Sequence, residues 1–278
     1  MNREQVGRVF LVTGANTGIG RVTAEVLARR GARVYLACRS EERAAPVLAS
    51  IRASGGDAEL LPLDLAELGS VREAARAFLA RNEPLHVLVN NAGLAGFGGT
   101  TKDGFELAFG TNHLGHFLLT QLLLPRMRES TPARIVNVSS KSHFRAKDVP
   151  FDALRGATRT KTGMPEYAVS KLCNVLFTKE LARGRAGKGI TSYALHPGVI
   201  ATEIWRDIPR LFRPLVTMFM KSTEEGAETS LYCATSPVAA DEDGLYYDGC
   251  RPVPPSPLAE DASLARELWE RSEGWTRG

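Results

Sequence analysis

Short apolar runs alternate with longer segments of helical character along most of this chain, and this alternation limits the folds available to it. The runs are rich in Val, Leu and Ile and lie at residues 9–12, 33–37, 59–63, 86–89, 134–138 and 191–195. Such alternation is typical of repeated β-α-β units. Nearly every position in the runs is apolar, so each strand is expected to be covered on both faces. The sequence therefore predicts an α/β fold with a doubly wound, mostly parallel sheet and helices on both faces.

Helices are predicted at residues 19–30, 41–54, 68–81, 111–128, 165–183 and 223–235, with a terminal helix at about 258–270. The length of 278 residues suits one large α/β domain, and no internal repeat or linker divides the sequence. We therefore predict a single domain over residues 1–278. A proline-rich stretch at 252–257 is expected to cross the surface and to begin a C-terminal extension over residues 252–278.

Composition limits the partners that this chain is expected to have. Lys and Arg (35) exceed Asp and Glu (31) by too little to indicate a nucleic-acid surface. No apolar run approaches the roughly 20 residues of a transmembrane helix, so we expect no signal peptide and no membrane span. The cysteines lack metal-ligand spacing, which favours reduced thiols in a cytoplasmic protein. They are Cys38, Cys173, Cys233 and Cys250.

A glycine-rich turn, TGANTGIG at residues 13–20, follows the first predicted strand and opens the first predicted helix. Glycine permits a tight turn and lets backbone amides approach a pyrophosphate at the positive end of a helix. The spacing is GxxxGxG rather than the GxGxxG of most dinucleotide folds. The pattern predicts a dinucleotide site, while a glycine-rich turn without a ligand stays open at this point.

The end of the second strand indicates which dinucleotide binds. NAD-specific sites commonly place an acidic residue there to bind the ribose 2′-hydroxyl. Here the strand ends with Cys38, Arg39 and Ser40, and no carboxylate comes before Glu41. A guanidinium at residue 39 suits a 2′-phosphate. NADP(H) is therefore preferred over NAD(H), which remains allowed, and the alternative for Arg39 is a solvated loop cation.

Tyr167 and Lys171 lie four residues apart on a predicted helix, so that their side chains share one face. An ammonium close to a phenol favours the phenolate, and we expect it to lower the pKa of Tyr167. Such a hydroxyl is poised to exchange a proton with a substrate oxygen. The YxxxK pattern by itself is weakly specific.

These motifs, taken together and in order, resemble those of the short-chain dehydrogenase/reductase family. The resemblance covers about residues 8–250 and implies a Rossmann fold that transfers a hydride between a nicotinamide and a carbonyl or alcohol carbon. It rests on TGANTGIG at 13–20, Asp64-Leu65, Asn90-Asn91-Ala92-Gly93, Ser139-Ser140, Tyr167 with Lys171, and Pro197-Gly198.

The resemblance implies roles for individual residues of this sequence. Tyr167 corresponds to the general acid/base, and Lys171 to its electrostatic partner and a ribose ligand. Ser140, the second serine of its pair, corresponds to the hydroxyl that orients the substrate carbonyl. Asn112 matches an asparagine that supports a proton-relay water. Two donors aimed at the substrate oxygen would stabilise the negative charge that develops there.

The same resemblance implies a set of cofactor-binding residues. Asp64 would contact the adenine edge, and residues 197–202 would meet the nicotinamide end. The set comprises Gly14, Asn16, Thr17, Gly18, Ile19, Gly20, Arg39, Ser40, Asp64, Leu65, Asn90, Ala92, Gly93, Tyr167, Lys171, Pro197, Gly198, Val199 and Thr202.

Several stretches resemble the retinol dehydrogenase and WW-domain oxidoreductase branch of that family, including residues 111–120 and 171–178. Ser140 and Tyr167 are 27 positions apart, a long separation that also resembles this branch. Residues 203–221 alternate apolar and basic side chains and are interpreted as a lid for a lipophilic aldehyde, ketone or alcohol, with basic residues that suit anionic lipid headgroups. The alternative is that this segment closes the core or an oligomer interface.

Three hypotheses for the function follow from the sequence. The first is an NADP(H)-dependent oxidoreductase, retinol dehydrogenase-like, acting on a small lipophilic substrate. The others are a non-catalytic NADP(H)-binding regulator and an NAD-linked dehydrogenase of a polar alcohol. His113 and His116 lack a third ligand at a suitable spacing, so we expect no metal site. The resemblance also allows a homodimer through the helices that carry Asn112 and Tyr167.

Overall fold

The computed structural model describes residues 4–198 and 222–277. Within these residues one sheet has the strand order β3-β2-β1-β4-β5-β6-β7-β8, and only β8 runs antiparallel to its neighbour. The predicted doubly wound, mostly parallel sheet is therefore confirmed. Its strands are β1 Val9–Thr13, β2 Arg33–Cys38, β3 Asp57–Pro62, β4 Val87–Asn90, β5 Ala133–Val138, β6 Ile190–His196, β7 Leu245–Asp248 and β8 Arg251–Pro252.

Helices cover both faces of the sheet. One face carries α1 and α2 and the late helix α7, and the other carries α3, α5, α6 and the C-terminal helix α8. The helices are α1 Gly18–Arg29, α2 Glu41–Ala53, α3 Leu68–Leu79, α4 Leu107–Phe109, α5 Gly115–Glu129, α6 Met164–Glu180, α7 Thr223–Thr235 and α8 Ala262–Thr276.

The strands are apolar at successive positions because each strand serves two cores. In β1, Phe10 and Val12 pack into the core beneath α1 and α7, whereas Val9 and Leu11 pack into the core beneath α3, α5 and α6. Side chains alternate between the two faces of a strand, so a strand covered on both sides needs apolar residues throughout. The pattern that predicted these strands thus reflects their double burial.

The end of the chain differs most from the prediction. The strands β7 and β8 were not predicted, because four and two residues give too short a pattern. The terminal helix was predicted at about 258–270 and is found at Ala262–Thr276, after a 3₁₀ turn at Pro257–Glu260. Asp261 sets its start, because an oxygen of its side chain accepts the amides of Ser263 and Leu264.

The C-terminal helix α8 is packed into the core and not simply appended to it. The ring of Trp269 lies 5.1 Å from Phe117 of α5 and 5.7 Å from Phe177 of α6, measured between centroids. Leu268 is buried beside it, while the opposite face of α8 is polar and exposed. Helix α8 therefore covers the outer surfaces of α5 and α6. Among residues 4–198 and 222–277, none of the helices combines the length and apolarity needed to cross a bilayer.

Replacing Trp269 by Ala should lower the free energy of unfolding by about 3–5 kcal/mol, because it removes a buried aromatic side chain that holds α8 against two helices. Urea unfolding followed by circular dichroism measures this loss. The matched control is Arg266→Ala on the exposed face of α8, which should change the stability by less than about 0.5 kcal/mol. Equal stabilities of Trp269→Ala and wild type would mean that α8 does not contribute to the core.

Candidate active site

The predicted site residues converge on the edge of the sheet where the parallel strands end. The strands β1 and β4 are neighbours, and the chain leaves them in opposite directions across the sheet. Ligands of open α/β sheets bind in the crevice outside the carboxyl ends of the strands at such a switch point. Thr13, Asn90 and Val138 end β1, β4 and β5 at this edge.

The glycine-rich turn connects β1 to α1 at this edge. Gly14 and Gly18 adopt φ angles of 67° and 55°, in the left-handed region that favours glycine. A Cβ atom on Gly20 would lie 2.5 Å from the carbonyl oxygen of Gly14, so that only glycine allows this close approach. The positions of these three glycines fit a tight turn that carries backbone amides close to a ligand.

The start of α1 fits an anionic group. Thr17 occupies the N-cap position, but its side chain accepts no backbone amide, and the first turn of α1 contains no acidic residue. The amide groups and the positive end of the helix dipole are thus available to a pyrophosphate. Thr17 is exposed, and Asn16 and Ile19 are partly buried beside it.

Arg39 and Ser40 lie directly after β2, on the same edge of the sheet. Arg39 is exposed, which is compatible both with a 2′-phosphate ligand and with a solvated cation. The Ser40 hydroxyl accepts the amide of Arg43 at 3.2 Å and caps α2. The structure therefore gives Ser40 a local structural role in addition to its place at the predicted cofactor site.

Asp64 and Leu65 follow β3. An Asp64 carboxylate oxygen accepts the Ala66 amide at 2.9 Å, which fixes the turn and leaves the side chain partly exposed. Leu65 is buried, and its carbonyl oxygen lies 2.5 Å from where a Cβ of Gly115 would be. Asp64 can therefore face a ligand, whereas Leu65 supports helix α5.

Asn90 ends β4 at this edge, but its side chain is buried inside the protein. Its side chain is 1% exposed, and its amide nitrogen donates to Thr120 at 3.0 Å and to Asn137 at 2.8 Å. Those bonds join β4 to β5 and to α5, a role that depends on contacts distant in sequence. The implied place of Asn90 among the cofactor-binding residues stays a prediction.

Thr13 is a functional position that the motif analysis did not single out. Its hydroxyl oxygen accepts the amides of Asn91 and Ala92, each at 2.9 Å, so that the end of β1 fixes the turn after β4. In that turn, a Cβ on Gly93 would lie 3.2 Å from an Asn112 oxygen and 3.4 Å from the Lys171 ammonium. Glycine at residue 93 therefore keeps the space in front of both groups open.

Asn112 lies in a π-helical turn, Gly110–Leu114, between α4 and α5. The predicted helix at 111–128 did not foresee this turn. The Asn112 side chain exchanges two 2.9 Å hydrogen bonds with the backbone of Leu94 and donates a third to Ser170. Isolated π turns are frequent at functional sites because they re-aim backbone groups. Here the Asn112 carbonyl oxygen lies 3.0 Å from the Nδ1 of His116.

His116, for which the sequence predicted only that it holds no metal, completes this arrangement. Its Nδ1 donates to the Asn112 carbonyl oxygen at 3.0 Å, and its Nε2 accepts the hydroxyl of Thr13 at 2.8 Å. The partners thus fix a neutral tautomer with the proton on Nδ1. Burial lowers the pKa of His116 to about 4, and its four-residue spacing from Asn112 was the available sequence signal.

Two adjacent serines end β5 and face different ways. Ser139 is buried, and its hydroxyl donates to the Lys171 backbone carbonyl at 2.7 Å, which ties β5 to α6. Ser140 is partly exposed, and its hydroxyl lies close enough to Tyr167 to act on the pKa of that phenol. The geometry therefore brings Ser140, and not Ser139, to the tyrosine.

Lys171 is almost fully buried behind Tyr167. Its Nζ donates to the Val138 carbonyl oxygen at 2.9 Å and lies 5.6 Å from the centroid of the Tyr167 ring. Burial lowers the pKa of Lys171 to about 8. Burial also raises the pKa of Tyr167 above its ordinary value, and the nearby Ser140 hydroxyl opposes this rise. The predicted lowering of the Tyr167 pKa is wrong in this structure, because desolvation by burial is the largest effect on it.

Some of the remaining predicted site residues lie within the described part of the chain, and others lie outside it. Pro197 and Gly198 are partly buried at the end of β6, with Gly198 at φ 99°. Val199, Thr202 and the predicted lid at 203–221 lie outside the described residues. Within residues 4–198 and 222–277, no group of three His, Cys, Asp or Glu side chains is arranged to hold a metal ion. The cysteines of the described chain are free thiols.

The fold and this site together define a dinucleotide-binding oxidoreductase. The family model for short chain dehydrogenases matches residues 8–210. Mouse retinol dehydrogenase 12 is 46% identical over 276 residues, which cover 96% of this chain and 85% of the mouse protein. The chain therefore belongs to the short-chain dehydrogenase family and to its retinol dehydrogenase-like branch. Oxidoreductases of this kind act on alcohol and carbonyl groups.

Solved structures agree with this assignment. An uncharacterised protein from Mycobacterium paratuberculosis has a TM-score of 0.79 and 36% identity, covering 98% of this chain and 94% of that one. A 3-oxoacyl (acyl-carrier-protein) reductase from Agrobacterium tumefaciens, solved with NADP bound, has a TM-score of 0.73 and 25% identity, covering 88% of this chain and 93% of the reductase.

The neutral, buried His116 predicts a loss of stability in acid. Its pKa is about 4 in the folded chain and 6.5 ordinarily, so the unfolded chain takes up a proton that the folded chain refuses as the pH falls below 6.5. The cost reaches about 2 kcal/mol near pH 5. Urea unfolding near pH 7.5 and pH 5 measures it. In His116→Gln, which cannot titrate, the difference between the two pH values should be smaller by that amount, and an unchanged difference would show that His116 is protonated in the folded state.

Proposed function

We propose that this protein is an NADP(H)-dependent oxidoreductase that interconverts the carbonyl and alcohol forms of a small lipophilic substrate. The observation that carries the proposal is the proximity of the Ser140 and Tyr167 hydroxyls at the carboxyl edge of the sheet, with Lys171 behind them. A substrate oxygen that met a nicotinamide at this edge would have two proton donors within reach.

The residues present fit the cofactor that the family implies. The glycine turn at 13–20 and the start of α1 would hold the pyrophosphate, and Arg39 would bind the 2′-phosphate. Asp64 would accept hydrogen bonds from the adenine side, and Lys171 would bind the nicotinamide ribose. Bound NADPH would supply the hydride.

The protein's own side chains would stabilise the developing charge and transfer the proton. The hydroxyls of Ser140 and Tyr167 both donate to the substrate carbonyl oxygen and stabilise the negative charge that builds there. The Tyr167 proton then moves to the alkoxide oxygen, leaving a phenolate that is reprotonated before the next turnover. Burial raises the pKa of Tyr167, so the phenol is protonated at neutral pH and can act as the acid in carbonyl reduction.

Proton return to Tyr167 would pass through Lys171 and a water held at Asn112. The π turn and His116 orient the Asn112 carbonyl, which has a second lone pair for a water. A Lys171 pKa of about 8 makes proton exchange by this side chain accessible near neutral pH. Asn112 thus serves as an anchor for the relay and does not touch the substrate.

Two exposed aromatic side chains suit a lipophilic substrate. Phe97 and Phe144 follow Gly93 and Ser140 by four residues each in the sequence and are 43% and 51% exposed. Apolar and aromatic side chains commonly line the binding sites of small molecules. The lid and the lipid contact proposed for residues 203–221 remain predictions.

The alternatives account less well for the site. An NAD-linked dehydrogenase of a polar alcohol would be expected to carry a carboxylate where Arg39 stands. A non-catalytic regulator has no need for the Ser140, Tyr167 and Lys171 arrangement.

A cytoplasmic location remains part of the proposal and suits the free thiols. The homodimer also remains a prediction, and α8 would lie within any dimer contact formed by α5 and α6.

Tyr167→Phe should reduce the kcat for NADPH-dependent aldehyde reduction by about 10²- to 10⁴-fold, because it removes the acid while keeping the ring. NADPH oxidation is followed by absorbance across aldehydes and ketones of increasing chain length. The matched control is Tyr232→Phe on α7, away from the site edge, which should keep the wild-type rate. If the wild-type protein binds NADPH but turns over no substrate of the panel, the non-catalytic regulator is favoured instead.

Arg39→Asp should weaken NADPH binding by about 1.5–3 kcal/mol, or roughly tenfold to a hundredfold in Kd, and should leave NADH binding much less affected. The reason is loss of a charge-assisted hydrogen bond and added repulsion against the 2′-phosphate. Fluorescence titration gives both Kd values. Arg266→Asp on α8 makes the same charge change as a control, and equal losses of NADPH and NADH in Arg39→Asp would contradict the cofactor preference.

A further inference from the structure

The C-terminal extension reaches the back of the proposed active site through a strap, residues 252–257, with the sequence PVPPSP. Its prolines have no amide proton, so Val253 and Ser256 hold the only two amides that the strap can donate. The Val253 amide donates to the Tyr246 carbonyl at 2.8 Å, and the Ser256 amide donates to Nε2 of His143 at 3.0 Å. Both backbone amides of the strap are therefore committed to the body of the protein.

His143 joins this strap to the proposed catalytic serine. The side chain is fully buried, and its Nδ1 lies 2.7 Å from the Ser140 carbonyl oxygen. A carbonyl accepts and an amide donates, so the proton lies on Nδ1 and Nε2 is the acceptor. Each nitrogen of the ring thus has one partner, and those partners belong to segments more than one hundred residues apart.

The same contacts restrict the orientation of Ser140. Its carbonyl oxygen also accepts the His143 amide at 3.1 Å, and its hydroxyl oxygen accepts the Ser142 amide at 3.1 Å. The ring of Tyr246 stands edge-on to the imidazole at 4.8 Å and fixes the ring plane. A rotation of the Ser140 peptide would therefore break the His143 bond and turn the hydroxyl away from Tyr167.

We propose that His143 is a positioning residue, which uses the Ser256 amide of the strap to hold the Ser140 backbone and so makes the C-terminal extension part of the support for catalysis. The inference rests on the proposed role of Ser140 in orienting the substrate carbonyl. Misplacement of a reacting group by about 1 Å is enough to lower a rate by roughly a hundredfold. A bond that fixes the peptide of Ser140 therefore affects kcat more than cofactor affinity.

The first test removes one amide from the strap. Ser256 has a φ angle of −61°, which a proline adopts, so Ser256→Pro replaces the amide N–H with a methylene group that cannot donate to His143. Ser256→Ala is its reference, because it loses the hydroxyl and keeps the amide. We expect the kcat of Ser256→Pro to be about tenfold or more below that of Ser256→Ala, with the Kd for NADPH equal in the two variants.

The second test separates the two nitrogens of His143. The side-chain amide of Asn can take the position of Nδ1 and donate to Ser140, whereas Gln extends toward Nε2 and the strap. We expect His143→Asn to recover most of the kcat that His143→Leu loses, and His143→Gln to recover less. If His143 had only a structural role, the kcat of each of the three variants would follow its free energy of unfolding. Which of the two hydrogen bonds a variant keeps would then make no difference.

If Tyr167→Phe is inactive, so that the proposed function holds, two outcomes would overturn the inference. One is an equal kcat for Ser256→Pro and Ser256→Ala, and the other is an equal kcat for His143→Asn and His143→Gln at comparable stability. If Tyr167→Phe keeps the wild-type rate, the proposed function itself fails, and the two results are thereby distinguishable.

Discussion

The hydroxyl of Thr13 is the contact on which the geometry of the site depends. It accepts the amides of Asn91 and Ala92 and donates to His116, so that all its hydrogen-bonding capacity is used inside the protein. The glycine-rich turn, the turn after β4 and the π turn at Asn112 are thereby held by one group. A buried polar network of this kind is stable only when every member is satisfied, which restricts the site to one arrangement.

Burial controls the chemistry of the ionisable groups around this contact. It lowers the pKa of Lys171 to about 8, lowers that of His116 to about 4 and raises that of Tyr167. The two proton-exchanging side chains of the proposed mechanism are thus moved in opposite directions by the same physical effect. The histidine remains neutral, so that it can donate to one partner and accept from another, which its charged form cannot do.

The C-terminal segment has two structural roles that follow from its composition. Its prolines suit an extended crossing with few donors, and the two available amides meet acceptors next to the site. The helix that follows has an apolar face that covers α5 and α6, and a charged face that remains exposed. Residues that lie far beyond the sequence motifs therefore contribute to both the core and the site.

The sequence by itself determined the parallel sheet, the glycine turn and the pairing of Tyr167 with Lys171, whereas the roles of Asn112 and Ser140 came from the family resemblance. Apolar runs and glycine spacing reflect local requirements, namely double burial of a strand and a left-handed backbone at Gly14 and Gly18. The pairing of Tyr167 with Lys171 follows from helical spacing alone. Such features are readable because each depends on residues close together in the chain.

Tertiary structure decided the burial, the protonation and the hydrogen-bond partners of these residues. It buried Asn90, raised the pKa of Tyr167, and gave His116 and His143 their partners, and none of these follows from local pattern. Each outcome depends on desolvation and on hydrogen bonds between segments far apart in the chain, and both arise only when the helices and the sheet close around them.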